Sequence, residues 1–387
     1  MNARSHSSLV GAIGFCCAVF TVECTLGGEN PLLFPLEKDG KYGYINAKGK
    51  FVIEPRFEYA AQFSEGLAAV GMNGKRCYIN QYGKIVIETQ PGLGGFDFHD
   101  GMAQVGTYKK FGFIDKRGDL VIDLKYEEVR GFSEGFAAFR VSDSNKWGFI
   151  NKTGKVVIEP RFETAYWIGS FHEGLAPVCA EWKSIDDNKW GYIDRTGKFV
   201  IPPQFVSMYP LPRFSEGLAC AKNSKGKWGF MDKTGIWVIE PQFDKAGGFS
   251  EGLAWVVVGS IYHPQMADAA AWEAAWRGGG KYGFVDRKGN WVIAPQFEAV
   301  GSFSEGLAAA WGEGGWGYIN RRGKFVIKPQ FPDVYSGGSF LNGLARGQLE
   351  KREGIHFTGG WVTASGGRSG YINKRGEVIA TQKGVIH

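Results

Sequence analysis

A short hairpin pattern, W-G-[FY]-[IV]-[DN]-x-x-G, recurs along the whole chain, and no other property limits its possible folds so strongly. The glycine of the central dyad is Gly43, Gly112, Gly148, Gly191, Gly229, Gly283, Gly317 and Gly370, with Cys77 in the equivalent slot of a degenerate second copy. The turn glycines are Gly49, Gly83, Gly118, Gly154, Gly197, Gly235, Gly289, Gly323 and Gly376, mostly 34 to 43 residues apart. A chain made by copying one supersecondary unit buries its apolar surface by stacking copies, so its 387 residues point to one domain and not to two or three. Aromatic residues at 15%, with 58 Gly and 15 Pro, suit short strands and tight turns better than long helices.

One well-kept unit runs from Lys146 to Val178, KWGFINKTGKVVIEPRFETAYWIGSFHEGLAPV. Trp147 and Phe149 are two residues apart and share one face of a strand, while Gly148 and Ile150 take the other. Glycine there lets a neighbouring strand or ring come close. Asn151, Lys152, Thr153 and Gly154 form a type I turn with a G1 bulge, the Asx side chain bonding back to the backbone. The next strand, Val156, Val157 and Ile158, is apolar on both faces and is expected to be buried on both, with Pro160 ending its pairing. After a variable crossover come Phe171 and the strand Glu173-Gly174-Leu175-Ala176, whose small residues allow close packing.

The strings KWGFINKTGKVVIEPRF, KWGYIDRTGKFVIPPQF and KWGFMDKTGIWVIEPQF, each followed by F-[SH]-E-G-L-A, resemble the bacterial WG (KWG) repeat family. The resemblance spans about residues 31 to 380. It implies a repeat array acting as a non-catalytic interaction module, and it brings no generally assigned ligand. The departures are local: Tyr42, Phe111 and Tyr282 replace the dyad Trp, unit two has Arg76-Cys77, and the last copy has Ser369.

The expected fold is all-β, a tandem array of about nine β-hairpin units with one short helical insertion. An open, solenoid-like superhelix is preferred to a closed β-propeller, because periods of 34 to 36 are short beside the ~40 to 50 residues of familiar blades and nine units exceed the usual ~4 to 8. Leu32 to Leu36, LLFPL, would favour a ring by standing in for a missing G-L-A strand.

The first 28 residues read differently from the rest. Arg4 precedes an uncharged stretch from Leu9 to Val22, too short at 14 residues to span a bilayer, which is the profile of a signal peptide. Residues 29–387 would then form the mature repeat domain, exported to a periplasmic, cell-surface or extracellular location, without a transmembrane span. Of six cysteines only Cys77, Cys179 and Cys220 lie in that domain, each in a strand slot that suits a buried thiol, so no disulfide framework is expected. The net charge of +6 is spread through every unit and forms no nucleic-acid-binding stripe.

Repeated acids invite a functional reading. Glu65, Asp100, Glu134, Glu173, Glu216, Glu251 and Glu305 occupy one slot, with Asn342 in the last copy, and stacking would align them. A residue repeated in every unit usually serves the unit, so each acid is expected to accept backbone N–H bonds in its own turn. Glycoside hydrolysis would need two acids in unlike environments. His99 and His172 replace serine in what reads as a solvent-tolerant turn. No nucleophile-His-acid set, metal-ligand spacing or phosphate loop can be assembled, and no cofactor or catalytic residue is expected.

The non-repeated pieces carry the candidate contacts. Residues 259–280 hold an alanine-rich helical segment with Trp272 and Trp276 on one face, and residues 346–368 hold Arg352 and Trp361. A smaller insertion is Glu181 to Asn188. Gly148, Gly191, Gly229 and Gly317 of the dyads, and Gly154, Gly197, Gly235 and Gly323 of the turns, are assigned structural roles. The leading functional expectation is a non-catalytic exported scaffold that binds a protein or an envelope polysaccharide. A glycan-binding module using exposed aromatics and a hydrolase with its site in the insertions are the alternatives.

Overall fold

The structure is a computed structural model that describes residues 32–383 apart from 91–92, 108–109, 141–145, 164–167, 184–187, 206–212, 260–279, 335–337, 351–352, 359–360 and 366–367. Among the described residues there is no α-helix, and the strands form nine small antiparallel meanders of three or four strands, one per repeat, and one further two-stranded hairpin. Their strands span 34–57, 59–88, 94–126, 128–163, 176–205, 219–243, 245–297, 307–331 and 333–383, and we number them units 1 to 9. The N-terminal apolar stretch and the expected helix at 259–280 lie essentially outside the described residues.

In unit 4 the order is a two-residue lead strand (Glu128–Val129), an alanine strand (Phe136–Arg140), the dyad strand (Lys146–Asn151) and a last strand (Val156–Glu163). The dyad glycine exists for the last strand. Trp147 pairs with Phe162 and Phe149 with Ile158, so the last strand carries two extra residues between these pairs, and its bulge folds over Gly148. A Cβ on Gly148 would lie 2.5 Å from the Ile158 carbonyl oxygen and 2.9 Å from Pro160 N. Gly43, Gly191, Gly229, Gly283 and Gly317 meet the same isoleucine oxygen and proline nitrogen of their own units. Pro160 therefore marks the bulge and does not end the pairing, which resumes at Phe162, contrary to the sequence expectation. Unit 2 supplies the control: Cys77 pairs with Glu88 and Tyr78 with Ile87 in step, the register shifts only after Tyr78, and a side chain fits at the dyad slot.

The last strand also corrects the expectation of burial on both faces. Ile158 is buried but Val157 is 40% exposed, and its equivalents Val52, Val86, Val121, Val200, Val238, Val292 and Val326 are exposed too. Only one face of this strand meets the neighbouring unit.

The hairpin turns form as read. Gly154 N–H donates to Asn151 O, Thr153 N–H and Lys155 N–H donate to Asn151 Oδ1, and Gly154 has φ +77°. Each turn glycine then rests on an isoleucine of the preceding unit: Gly83 on Ile53, Gly118 on Ile87, Gly154 on Ile122, Gly197 on Ile158, and so on to Gly376 on Ile327. The series continues across the ends, because Gly49 of unit 1 rests on Ile379 of unit 9. Tyr371 OH donates to Pro35 O at 3.0 Å, Glu37 N–H donates to Gln382 Oε1 at 3.1 Å, and the rings of Phe34 and Tyr371 are 5.3 Å apart. Each sheet is itself open and no barrel forms, but the tandem array returns on itself as a ring, so the closed alternative replaces the preferred open superhelix. A short period suffices for a ring because the lead strand is cut to two residues, as in Tyr59–Ala60, Glu128–Val129 and Lys245–Ala246. Phe34–Lys38, from the LLFPL segment, pairs with Lys41–Ile45 and supplies the alanine strand of unit 1.

The apolar core lies between units. Leu175, Trp190, Tyr192, Ile201, Phe205 and Phe214 of the fifth repeat pack with Ala219, Ala221 and Met231 of unit 6, and similar clusters join the other neighbours. Cys77, Cys179 and Cys220 are free buried thiols, and burial pushes Cys179 up to about 11 and Cys220 up to about 12. Among the described residues no helix is long and apolar enough to cross a membrane.

Candidate functional site

Because all nine meanders have the same strand order, the ring has two unlike ends. At one end lie the D/N-x-x-G turns and the E-G turns that lead into the alanine strands. At the other lie the connections between alanine and dyad strands, together with the crossovers between units.

The E-G turn is a two-residue hairpin loop: Ser64 N–H donates to Leu67 O and Leu67 N–H to Ser64 O, while Glu65 has φ +50° and Gly66 φ +86°. Two successive left-handed residues are the type I′ requirement, which Asn-Gly or Asp-Gly meets with least strain. Glutamate is a poor choice for that backbone, yet it stands there in six units with φ between 50° and 54°. Its carboxylate explains why. The Glu65 Oε2 accepts the Gly101 N–H of the next unit at 3.0 Å. The same bond joins Asp100 to Gly135, Glu134 to Gly174, Glu173 to Gly217, Glu216 to Gly252, Glu251 to Gly306 and Glu305 to Gly343. The expected backbone bond is present, but it reaches the following unit's turn and not the acid's own.

A cation closes five of the seven clasps. Lys116 Nζ lies 3.0 Å from Glu65, Lys152 2.7 Å from Asp100, Arg195 2.9 Å from Glu134, Lys233 3.0 Å from Glu173 and Lys374 2.9 Å from Glu305, all reaching back from the next unit's hairpin turn. Arg321 takes the Glu251 carbonyl instead, at 2.7 Å. The serine before the acid adds a third bond, as Ser64 Oγ to Phe98 O and Ser304 Oγ to Phe340 O. The cation slot was not singled out from the sequence, although its pattern was readable there. It holds Lys116, Lys152, Arg195, Lys233, Arg287, Arg321 and Lys374, and only Ala47 and Gln81 are neutral; these two turns follow Asn342 and the acid-free Asn30-Pro31-Leu32.

Between units 4, 5 and 6 this end forms a shallow open depression of about 550 Å³ lined by Glu134, Glu173, Gly174, Asp194, Arg195, Thr196 and Lys233. Every carboxylate in it is already bonded: Glu134 and Glu173 in the clasps, and Asp194 Oδ1 to the N–H groups of Thr196 and Lys198. Those bonds hold the Asp194 carboxyl below the usual range, its hydrogen bond with Thr196 Oγ1 being the largest cause. Such a row anchors neighbouring units. His172 is half-buried in its turn, and burial, with Arg213 beside it, lowers it to about 4.

At the opposite end the three insertions share one hairpin. Residues 183–187 separate Ala176–Trp182 from Asn188–Ile193, residues 259–280 separate Leu253–Val258 from Lys281–Asp286, and the stretch between Leu344–Gln348 and Arg368–Asn373 carries an extra hairpin, Glu353–Thr358 with Trp361–Ser365. Trp272, Trp276 and Arg352 lie outside the described residues, and Trp361 begins a strand of the extra hairpin. Of the dyad tryptophans, Trp147, Trp190 and Trp228 are buried, Trp147 with Arg130 and Arg140 over its ring, and Trp316 is half-buried with its ring 5.7 Å from that of Trp311. Among the described residues no cluster of His, Cys, Asp and Glu is arranged to hold a metal ion.

No curated protein matches the chain. Among solved structures, one titled "Crystal structure of the eukaryotic initiation factor" is similar at TM-score 0.59 and 13% identity, covering 92% of this chain and 96% of that one, a likeness of fold alone. BamB from Moraxella catarrhalis, at TM-score 0.39 and 12% identity over 75% of this chain and 92% of its own, is more distant. The model of the WG containing repeat matches residues 42–75, 111–143, 147–181, 190–228, 228–260, 282–310 and 316–349. These seven stretches take in the dyads, bulges and E-G turns of most units and more than half of the sequence, and the chain belongs to the WG containing repeat family.

Proposed function

We propose that this chain is a non-catalytic, exported scaffold whose insertion-bearing end binds a protein or a polymer of the cell envelope. The observation that carries this reading is the shared location of the three insertions, at one hairpin on one end of the ring. Repeat proteins concentrate specificity where the repeat is interrupted, because residues there are released from stacking. The opposite end supports the reading by contrast, since its acids and cations are spent on holding units together. Export rests on the apolar stretch from Leu9 to Val22.

The test replaces residues 260–279 with a four-residue link that copies Gly312-Glu313-Gly314-Gly315 of unit 8 and measures retention of the purified chain by fractionated envelope protein and polysaccharide. Loss of retention with an unchanged melting temperature is expected. Retention equal to the parent chain would overturn the assignment of the binding end. Competition by soluble sugars would identify the polymer as a glycan.

A further inference from the structure

The clasps are not distributed evenly. Seven successive junctions, from units 2 and 3 to units 8 and 9, place an acid before a turn that bears Lys or Arg. The junction of units 9 and 1 has lost every component of it. Leu341 stands in the serine slot, Asn342 in the acid slot and Ala47 in the cation slot. Among the described residues the core is thinnest at the same place: Phe34, Leu36, Ile45, Leu344 and Tyr371 are the five buried residues of its cluster, against eight to eleven in each of the others. Among the described residues, the side-chain bonds that cross it, Tyr371 OH to Pro35 O and Glu37 N–H to Gln382 Oε1, join residues 336 and 345 positions apart. Contacts of such separation lose the most chain entropy when they form.

We propose that the junction of units 9 and 1 is a seam at which the ring opens by local separation while units 2 to 9 stay clasped as an arc. Opening uncovers Phe34, Leu36, Leu344 and Tyr371 and breaks no ion pair of the clasp series. Local openings of this kind follow low packing and few cross-links and do not require global unfolding. The unit 1 to unit 2 junction also lacks a clasp, but it keeps Tyr44 OH to Ala61 O at 2.8 Å, Arg56 Nη2 to Gly83 O at 2.5 Å and a cluster of eight buried residues, so it acts as the hinge side.

Native-state hydrogen exchange on the full chain tests this. The Glu37 amide, whose N–H donates across the seam to Gln382 Oε1, should exchange at least about tenfold faster than the amides of Trp190 to Ile193 at the clasped centre of the ring. The pair Asn342→Glu with Ala47→Lys restores an acid and a cation in backbone slots that already hold them in other units, and should slow exchange at the seam about two- to fivefold without changing unit 5. Equal protection of seam and centre in the parent chain would overturn the proposal. So would a folded double variant whose seam exchanges as fast as the parent's.

Discussion

The two ends of the ring are built from the same strands and obey different rules. At the turn end each residue is used twice: Glu173 shapes its own left-handed turn and accepts the N–H of Gly217, while Lys233 reaches back to it from the next hairpin. At the insertion end the same sheet tolerates five residues at 183–187 or an added hairpin at 353–365 without a change of strand order. Repetition thus records mutual dependence between neighbours, and variation records freedom from it. The chemistry that looks most functional by its recurrence is structural, and the binding contacts proposed for this protein belong to the interrupted end.

The sharpest break of that comparison is at the dyad. Gly148→Val should cost about 3 kcal/mol or more, because the new Cβ would sit 2.5 Å from the Ile158 oxygen inside a bulge that cannot move without losing Phe162. Cys77→Val, at the same slot in the unit whose last strand has no bulge opposite the dyad, should cost about 1 kcal/mol. Urea unfolding of the two variants compares them directly, and equal losses would show that the bulge is not what demands glycine.

The units, the Asx turns and a structural role for the acids were readable in the sequence, the first two because they depend on neighbours close in the chain and the third from its recurrence, although each acid's partner lies in the following unit. Three features were not. The exposure of Val157 depends on which face of its strand meets another unit, and alternation was hidden by the apolar run Val156-Val157-Ile158. Pro160 looked like a terminator because a bulge shows no signal of its own unless Gly148 is read with it. Closure depends on residues more than three hundred positions apart, so no local period could decide it, although Leu32 to Leu36 hinted at it. Of the candidate ligand contacts, only Trp361 falls within the described residues.

A middle-sized effect is expected at the clasp. Glu173→Ala removes a charge-assisted bond from Gly217 and the 3.0 Å ion pair with Lys233, and should cost about 1 to 2 kcal/mol, the lower end reflecting solvent screening of partly exposed partners. Asn342→Ala lacks a cationic partner and should cost less. In 1 M salt the two losses should approach each other, since screening removes the ion pair from the parent chain as well. Thermal melts at low and high salt measure both, and a salt-independent gap would mean that the neutral hydrogen bonds alone hold the junction.

His172 adds a smaller, pH-dependent term. Burial first, and the Arg213 charge second, lower its folded value to about 4 from an ordinary 6.5, so the unfolded chain binds the extra proton between these limits. Stability from this site is complete above pH 6.5 and falls as pH drops toward 4. His172→Ser, which restores the serine found in units 2, 4, 6, 7 and 8, should flatten the melting temperature across that window relative to the parent. A parallel fall in both proteins would place the acid sensitivity elsewhere.

The smallest effect is expected on the exposed face of the last strand, and it separates the two readings of that strand. Val157 is 40% exposed while Ile158 beside it is 3% exposed and lies under the turn glycine Gly197 of the next unit. Val157→Lys keeps an extended side chain whose methylenes can lie along the strand with the ammonium in water, so the change in stability should stay within about 0.5 kcal/mol. Ile158→Lys would bury a charge without a partner and should prevent folding of the junction. If Val157→Lys cost more than about 2 kcal/mol, both faces of the strand would be packed, and the row of valines from Val52 to Val326 would belong to the core that joins units and not to the surface around the ring.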